Sequence, residues 1–209
     1  MRGIFISLEG IDGAGKSSHI ARLQAHFLGQ GRQVTLTREP GGTPLAEQLR
    51  GLVLNAPMDP LAEALLVFAA RQDHIARIIR PALARGDVVL CDRFADASFA
   101  YQGGGRGLDW GVLQQLEAWV QYDAVQGLLQ PELTLWFDLP PAVAAVRLAG
   151  ARVPDRFESQ PESFFTSVAQ AYARRCAESP DRFACIAADQ PQEAVWSDIS
   201  AVLVQRGWA

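Results

Sequence analysis

Residues 10–17 read Gly10-Ile11-Asp12-Gly13-Ala14-Gly15-Lys16-Ser17. They match the pattern G-x-x-x-x-G-K-[ST], which is typical of a loop that binds nucleotide phosphates. The apolar run Ile4 to Leu8 precedes the loop and predicts a strand, and residues 16–27 follow with a helical pattern. Backbone N–H groups in such a loop surround an anion, and the N-terminus of the next helix adds positive potential. The stretch therefore predicts a phosphate-binding loop, or P-loop.

The loop also predicts how ATP and Mg²⁺ are bound. Lys16 is expected to reach the β and γ phosphates, and the Ser17 hydroxyl is expected to ligate Mg²⁺. The predicted ATP-binding residues of this segment are Gly10, Ile11, Asp12, Gly13, Ala14, Gly15, Lys16, Ser17 and Ser18. Asp12 is unusual here because a carboxylate repels phosphate; it is expected either to accept a hydrogen bond from a second substrate's sugar or to face solvent. A guanine-specific N-K-x-D motif is absent, since Asn55 is the only asparagine, which argues against a GTPase.

Short apolar runs alternate with helical patterns along the chain, which is typical of a parallel α/β sheet. Further strands are expected at Val34–Thr37, Val88–Cys91, Leu133–Asp138 and Ala184–Ala188. Helices are expected at residues 43–55, at 61–85 with a break at Pro81, near 109–127, from about Ala142, at 161–178 and at 193–205. The pattern predicts one domain, residues 1–209, with a three-layer α/β fold: a five-stranded parallel sheet flanked by helices.

Composition limits the classes of partner. The net charge is −4, so the chain has no overall attraction for nucleic acid or anionic membranes. No apolar run approaches the roughly 20 residues that span a bilayer, and no signal peptide is evident. Three cysteines without C-x-x-C spacing indicate reduced thiols. We expect a cytoplasmic protein without nucleic-acid or membrane partners.

Polar turns follow the second and third predicted strands, where ligands bind in open α/β sheets. The first turn carries Arg38, Glu39 and Pro40, and the Glu39–Pro40 bond is expected to be cis. The second carries Asp92 for Mg²⁺ or its water shell and Arg93 for a phosphate. Taken singly, Asp92 is better explained as a helix cap and Arg93 as a solvated cation, but two such turns beside a P-loop reverse that preference and favour a second substrate.

Helical spacing adds candidates for a nucleobase. Phe68 and Arg71 share a helix face, so a ring able to stack on a base lies beside a donor for a base carbonyl. From the spacing alone, core packing of Phe68 with Arg71 at the surface is the favoured explanation. Ser98, Tyr101 and Gln102 also share a face, before glycines 103–105, which by themselves suggest a flexible loop.

Arginines recur at residues 147–158, with Arg147, Arg152 and Arg156 near glycine and proline. This pattern predicts a lid whose cations stabilise transferred phosphate and exclude water on closing. A solvated basic loop is the alternative.

Five motifs, in order along the chain, resemble those of the bacterial thymidylate kinase family. E-G-x-[DE]-G-x-G-K-[ST] matches at Glu9–Ser17, T-R-E-P-G-G-T-P-L-A-E at Thr37–Glu47, D-R-[FYH] at Asp92–Phe94, A-Y-Q-G-G-G-R-G at Ala100–Gly107 and D-R-[FI]-E at Asp155–Glu158. The resemblance implies a P-loop kinase fold, a homodimer and a Mg²⁺-dependent transfer of phosphate from ATP to dTMP, giving dTDP. Another deoxynucleoside or nucleoside monophosphate kinase, or a non-catalytic nucleotide-binding module, is the alternative.

The same resemblance implies roles for individual residues. Asp12 would lie at the 3′-hydroxyl of dTMP; Arg38, Arg50 and Arg93 would gather around its phosphate, near Glu39 and Pro40. Phe68 would stack on thymine, Arg71 would bind its carbonyl edge, and Ser98 and Gln102 would complete base recognition. Tyr101 would pack beneath the sugar and disfavour a ribose 2′-hydroxyl. Gly13 stands where some relatives have a P-loop arginine, so Arg152 or Arg156 of the lid would supply the catalytic cation, and Arg147 would face adenine.

Two departures from the family pattern matter. Phe94 stands where the family often has tyrosine, which weakens any role for a hydroxyl there. Phe68 and Arg71 are one residue closer than in some relatives, so either Val67 or Phe68 meets the base.

Overall fold

A computed structural model describes residues 2–125, 127–148 and 156–209. The strands are β1 (Ile4–Glu9), β2 (Val34–Arg38), β3 (Val88–Asp92), β4 (Tyr122–Asp123), β5 (Gly127–Leu128), β6 (Leu133–Asp138) and β7 (Phe183–Ala187). The α-helices are α1 (Lys16–Gly29), α2 (Pro44–Asn55), α3 (Pro60–His74), α4 (Arg80–Arg85), α5 (Ala95–Ser98), α6 (Trp110–Gln121), α7 (Pro141–Leu148), α8 (Glu162–Glu178) and α9 (Gln192–Gln205). Two π-helical segments, Ile75–Ile79 and Phe99–Gly105, interrupt them.

The central sheet has the strand order β2-β3-β1-β6-β7, and every neighbouring pair is parallel. The predicted five-stranded parallel sheet is therefore confirmed. Side chains of β1 alternate between two cores: Ile6 packs in the cluster that contains Leu23 and Phe27 of α1, whereas Phe5 packs with Ile79. Burial on both faces explains why the strands are continuously apolar in sequence.

Strand register brings the functional turns to one edge. Leu8 pairs with Asp92, and Asp92 pairs on its other side with Arg38. The P-loop, the Asp92–Arg93 turn and the turn after Arg38 therefore begin at nearly the same level of the sheet.

The helix expected near 109–127 is too long in the prediction. It begins after Asp109, whose Oδ1 accepts a hydrogen bond from Val112 N at 3.1 Å, and it ends at Gln121. The Asp123 carboxylate then accepts a hydrogen bond from Val125 N, and Gly127 has a φ of 75°. This turn chemistry overrides the helical pattern and joins the antiparallel pair β4–β5.

The glycines at 103–105 are not a flexible loop; they end the π-helical segment Phe99–Gly105. A Cβ placed on Gly104 would lie 2.5 Å from the carbonyl oxygen of Ser167 and 2.7 Å from Ala171 Cβ, both on α8. The glycine run is explained by this close approach of two helical segments.

Pro81 does not end its helix. The wider π turn at Ile75–Ile79 precedes it, and the helix stops at Gly86, which has a φ of 86°.

Among the described residues, none of the helices combines the length and apolarity needed to cross a bilayer.

Candidate active site

The P-loop turns sharply where β1 ends. Gly10 has a φ of 131°, and a Cβ there would lie 2.6 Å from the carbonyl oxygen of Phe137 on β6. Gly15, with a φ of 84°, immediately precedes α1. Only glycine fits both conformations without strain, and the result is a loop whose end coincides with a helix N-terminus.

Lys16 lies inside this loop. Its Nζ donates to the carbonyl oxygens of Gly10 at 3.0 Å and Ile11 at 3.1 Å. Burial, and then the positive charge of Arg93, lower the pKa of Lys16 to about 8. A phosphate bound in the loop would place negative charge beside this ammonium, which here donates to two neutral carbonyl oxygens.

Oxygen atoms suited to Mg²⁺ lie beside the loop. Ser17 is exposed in the first turn of α1, and Asp92 ends β3. Asp92 Oδ1 is buried and has no hydrogen-bond partner, although a buried carboxylate oxygen normally has one. The described residues contain no cluster of three or more His, Cys, Asp or Glu side chains for a metal. Hydroxyl and carboxylate oxygens with phosphate and water fit the way Mg²⁺ is usually bound.

A cavity of about 660 Å³, including its open mouth, lies beside the P-loop. Its wall contains most of the predicted acceptor residues: Asp12, Glu39, Pro40, Arg50, Arg71, Arg93, Ser98, Tyr101 and Gln102. The cavity therefore brings together side chains from the P-loop, the turns after β2 and β3, and the helical segments α3 and Phe99–Gly105.

Arg93 is the cation nearest the P-loop. Its Nη1 donates to Gly10 O at 2.7 Å, its Nη2 donates to Asp12 Oδ1 at 3.0 Å, and its guanidinium lies 4.9 Å from the centre of the Tyr101 ring. Burial opposes its charge, but Tyr101 and then Asp12 outweigh burial and raise the pKa of Arg93 well above its usual value. Its φ of 70° is a conformation that residues other than glycine rarely adopt. Asp12 thus lies against a cation at the cavity wall.

Comparisons with known proteins cover nearly the whole chain. A family model described as "Thymidylate kinase" matches residues 8–199. Thymidylate kinase of Polaromonas sp. is 60% identical over 223 residues, covering 100% of this chain and 99% of the relative. Thymidylate kinase of Albidiferax ferrireducens is 62% identical over 211 residues, covering 99% and 97% respectively. The crystal structure of thymidylate kinase from Ehrlichia chaffeensis matches with a TM-score of 0.75 at 30% identity, covering 97% of this chain and 99% of that chain.

The chain belongs to the thymidylate kinase family.

In this member of the thymidylate kinase family, Arg71 is buried at the cavity wall with one donor unused. Its Nε donates to Glu39 Oε2 at 2.7 Å and its Nη2 to Ser98 Oγ at 2.8 Å. Nη1 is buried and has no hydrogen-bond partner. A buried guanidinium N–H without an acceptor is costly, so this atom suits an acceptor oxygen brought by a ligand.

Glu39 and its neighbours orient Arg71. The predicted cis bond between Glu39 and Pro40 is confirmed. Glu39 Oε1 accepts from His74 Nδ1 at 2.8 Å, since a carboxylate only accepts, and His74 Nε2 lies 2.5 Å from Thr37 Oγ1. The sequence analysis assigned no role to His74. His74 lies three residues after Arg71 on α3, and this spacing of about one helical turn was the available signal.

Of the two residues that the family pattern left open for the base, Val67 lines the cavity and Phe68 does not. Phe68 is 2% exposed and packs with Phe99 and Leu113, while the Arg71 guanidinium lies 4.5 Å from its ring centre. The physical reason is helix register: Val67 and Arg71 are four residues apart and share one face more closely than Phe68 and Arg71 do.

Arg50 and Arg38 occupy different positions around the turn after β2. Arg50 lines the cavity and donates to Pro40 O at 3.0 Å; burial and then the charge of Arg38 lower its pKa. Arg38 is outside the cavity wall and forms an exposed ion pair with Glu47 at 2.9 Å. An anion in the cavity would meet Arg50 and Arg93 directly, and Arg38 only after leaving Glu47.

Glu63 is a buried acid on the same face of α3 as Val67. It accepts from Gln102 Nε2 at 2.8 Å and from Arg156 Nη2. The sequence analysis did not single it out, although its spacing of four and eight residues before Val67 and Arg71 was a usable signal. Arg156 also donates to Val53 O at 3.1 Å, so here it contacts α2 and α3.

The remaining lid candidates differ in what is described. Arg147 donates to Gly13 O at 3.3 Å and to Ala188 O at 3.1 Å, so it lies between the P-loop and the segment after β7. Arg152 lies outside the described residues.

Glu9 and Tyr172 form a buried hydrogen-bonded pair, and the Tyr172 hydroxyl also contacts Arg93. Glu9 Oε1 accepts from Phe94 N at 2.7 Å, and Tyr172 OH donates to Glu9 Oε2 at 2.9 Å. Tyr172 OH also accepts from Arg93 Nη1 at 3.4 Å. Burial, and then the charge of Asp96, raise the pKa of Glu9 to about 8. No role for Tyr172 was predicted, because its distance from the motifs in sequence gives no signal.

Proposed function

We propose that this protein phosphorylates dTMP with the P-loop and the adjoining cavity as donor and acceptor sites. Members of the thymidylate kinase family convert dTMP and ATP to dTDP and ADP, and this chain, as a member, has that activity. The observation that carries the acceptor assignment is the unpartnered Nη1 of Arg71 in a cavity that also presents Arg93 beside the P-loop.

The donor side is the P-loop. Its backbone N–H groups and the N-terminus of α1 would bind the ATP phosphates, with Ser18 in the same first turn. Lys16 would exchange its two carbonyl contacts for β and γ phosphate oxygens. Arg147, between the P-loop and the segment after β7, would face the adenine ring.

The acceptor side is the cavity. Arg93 and Arg50 would hold the dTMP phosphate, with Arg38 joining them from its exposed ion pair. Asp12 would accept a hydrogen bond from the 3′-hydroxyl, which lies on the same nucleotide. Tyr101 would pack beneath the sugar.

Base recognition would fall to the far wall of the same cavity. Arg71 Nη1 would donate to thymine O4. Ser98 and Gln102 would complete the hydrogen bonds to the base. Val67, rather than Phe68, would make the apolar contact.

Mg²⁺ would be held by Ser17 and Asp92. When bound, it would neutralise charge that develops on the transferred phosphate. Arg152 or Arg156 would add a second cation from the lid; Arg156 would do so after leaving Glu63.

The function is tested by measuring ADP release from ATP and Mg²⁺ with dTMP, dUMP, dCMP, dGMP and thymidine as acceptors. We expect dTMP to have the highest kcat/KM. A preference for thymidine would overturn the acceptor assignment, and ATP binding without turnover of any acceptor would favour a non-catalytic module.

We further propose that residues 1–209 act as one domain and that two copies form a dimer. Leu61 and Leu65 are exposed one turn apart on α3, and Trp119 on α6 is 77% exposed. Large apolar side chains on neighbouring helices are typical of a surface that another chain covers. Light scattering on the intact protein and on Trp119→Ser would test this; a monomeric wild type would refute it.

A further inference from the structure

We propose that Glu63 is a specificity-determining residue that fixes the side-chain amide of Gln102, so that the Gln102 carbonyl oxygen faces the acceptor base. Glu63 is fully buried on α3, and Gln102 is buried in the segment Phe99–Gly105 at the cavity wall. Gln102 Nε2 donates to Glu63 Oε1 at 2.8 Å. The inference rests on the proposed function of the cavity.

Because Glu63 only accepts hydrogen bonds, it allows one orientation of the Gln102 side-chain amide. A glutamine side chain has a donor end and an acceptor end of almost equal size, whereas an ionised carboxylate only accepts hydrogen bonds. Turning the amide over would bring its oxygen against the Glu63 oxygen in a buried place, which is strongly unfavourable. Glu63 therefore holds the nitrogen and leaves the Gln102 oxygen for the cavity.

Two cations lie against Glu63, and Arg106 remains beside it if Arg156 moves to the transferred phosphate. Arg156 Nη2 donates to Glu63 Oε2, and Arg106 Nε lies 3.4 Å from the same oxygen. The two arginines face one carboxylate oxygen, and Gln102 faces the other. The carboxylate is thus compensated in charge and fixed in direction.

The cavity wall thus presents one hydrogen-bond donor and one hydrogen-bond acceptor to the base. Arg71 Nη1 is an unused donor, and the Gln102 oxygen is an acceptor. A thymine or uracil edge has the complementary pattern, a carbonyl oxygen beside an N–H, while cytosine has an amino group beside an unprotonated nitrogen. Glu63, without touching the base, would make the cavity reject cytosine nucleotides.

The experiment measures kcat/KM and Kd for dTMP and dCMP in four proteins. In Glu63→Gln the amide of Gln102 is free to turn over, and we expect the dTMP-to-dCMP preference to narrow by about tenfold or more. In the double variant E63Q/Q102E the residue at 102 only accepts, and the new amide at 63 donates to it. We expect that exchange to restore most of the preference. Glu117→Gln is the matched control, because Glu117 is a buried acid that pairs with Arg175 at 2.9 Å and does not line the cavity.

Each outcome decides the proposal. An unchanged preference in E63Q, with both acceptors weakened equally, would show a structural role only and overturn it. A preference that narrows in E63Q and stays narrow in the double variant would assign the effect to the arginine contacts and also overturn it. If E63Q does not fold, the double variant decides alone: a retained preference supports the proposal and a lost one refutes it. Failure of the wild type to phosphorylate dTMP would instead refute the proposed function.

Discussion

Arg71 Nε and Glu39 Oε2 lie 2.7 Å apart, and both side chains are almost completely buried. Because one oxygen of Glu39 serves Arg71 and the other serves His74, the acid links the turn after β2 to α3. The direction of the remaining Arg71 donor therefore depends on an acid that lies 32 residues earlier in the chain.

Glu39→Gln removes the charge that compensates Arg71 but keeps the side-chain size. Removing one partner of a buried ion pair leaves an uncompensated charge, so we expect the free energy of unfolding to fall by about 3 kcal/mol, with weaker dTMP binding. Urea denaturation and dTMP titration measure the two effects. Glu178→Gln is the control, because its pair with Arg174 lies on the surface and should matter by less than about 0.5 kcal/mol. Equal losses in the two variants would contradict the structural role of Glu39.

Lys16 is the only lysine of the chain, so selectively labelled protein gives a single lysine side-chain signal in NMR. We expect that signal to titrate near pH 8 in the free protein, because burial disfavours the ammonium. ATP should raise the titration midpoint, since phosphate charge favours the protonated form. A midpoint near 10.4, the ordinary value for lysine, would refute the buried position.

The lowered pKa of Lys16 also predicts how stability depends on pH. Below pH 8 the ammonium is charged in both the folded and unfolded states, so its burial destabilises the fold in full. As pH rises from 8 toward 10.5, the folded state loses the proton first and the destabilisation is relieved. Lys16→Met should therefore be inactive yet more stable than the wild type at pH 7, by roughly 1–3 kcal/mol, with a smaller gap at pH 10. Thermal unfolding at both pH values tests this, and a gap that widens with pH would contradict it.

Asp92→Asn tests the proposed Mg²⁺ position. The amide keeps the size of the side chain but loses the charge, so we expect kcat at saturating Mg²⁺ to fall by about a hundredfold or more. Binding of dTMP, measured without ATP, should change little, because Asp92 is not in the cavity wall. Asp198→Asn, on α9, is the control and should leave the Mg²⁺ dependence intact. If Asp92→Asn also leaves it intact, Asp92 does not hold the metal.

Gly104→Ala tests the contact between the segment Phe99–Gly105 and α8. The new methyl group would lie 2.5 Å from a backbone oxygen of Ser167, which cannot move aside like a side chain, so we expect a loss of about 2–3 kcal/mol in stability. Gly51→Ala on α2 is the matched substitution: no atom lies within 4 Å of its Cβ, and alanine favours helix by about 0.5–1 kcal/mol. Stabilisation in both variants would show that the two segments do not pack closely.

Tyr101→Phe should change activity by less than about threefold. The Tyr101 ring packs against the Arg93 guanidinium, which lies 4.9 Å from the ring centre. A steric role beneath the sugar needs only the ring. Tyr101→Ala is the comparison, and we expect it to relax discrimination against a ribose 2′-hydroxyl. A large loss in the phenylalanine variant would point to a hydrogen bond made by the hydroxyl in the complex.

Much of the fold is readable from the sequence because parallel strands buried on both faces leave continuous apolar runs. Leu133–Asp138 has the same bounds in the prediction and in the structure, and β1 is one residue longer than expected. The end of α6 is not readable from helical period alone, because the local turn at Asp123 and Gly127 competes with it.

The site is predictable to the extent that its residues fall in local motifs. Arg71, Arg93 and Asp92 follow from motifs at strand ends and on α3. Tyr172 supports Arg93 from α8, and only the folded chain brings the two together. The packing of Gly104 against α8 is likewise a tertiary property that the glycine run does not encode by itself.

Leu8, Asp92 and Arg38 share one register in the sheet. This arrangement separates the binding of phosphate from the recognition of the base. In the proposed site, the P-loop and Arg93 follow strand ends that the sheet holds in register, whereas the residues proposed to contact the base, among them Arg71 and Gln102, lie on helical segments outside the sheet. We therefore expect that replacing residues on α3 and Phe99–Gly105 changes which base the protein accepts. Such changes would leave the alignment of donor and acceptor phosphates untouched.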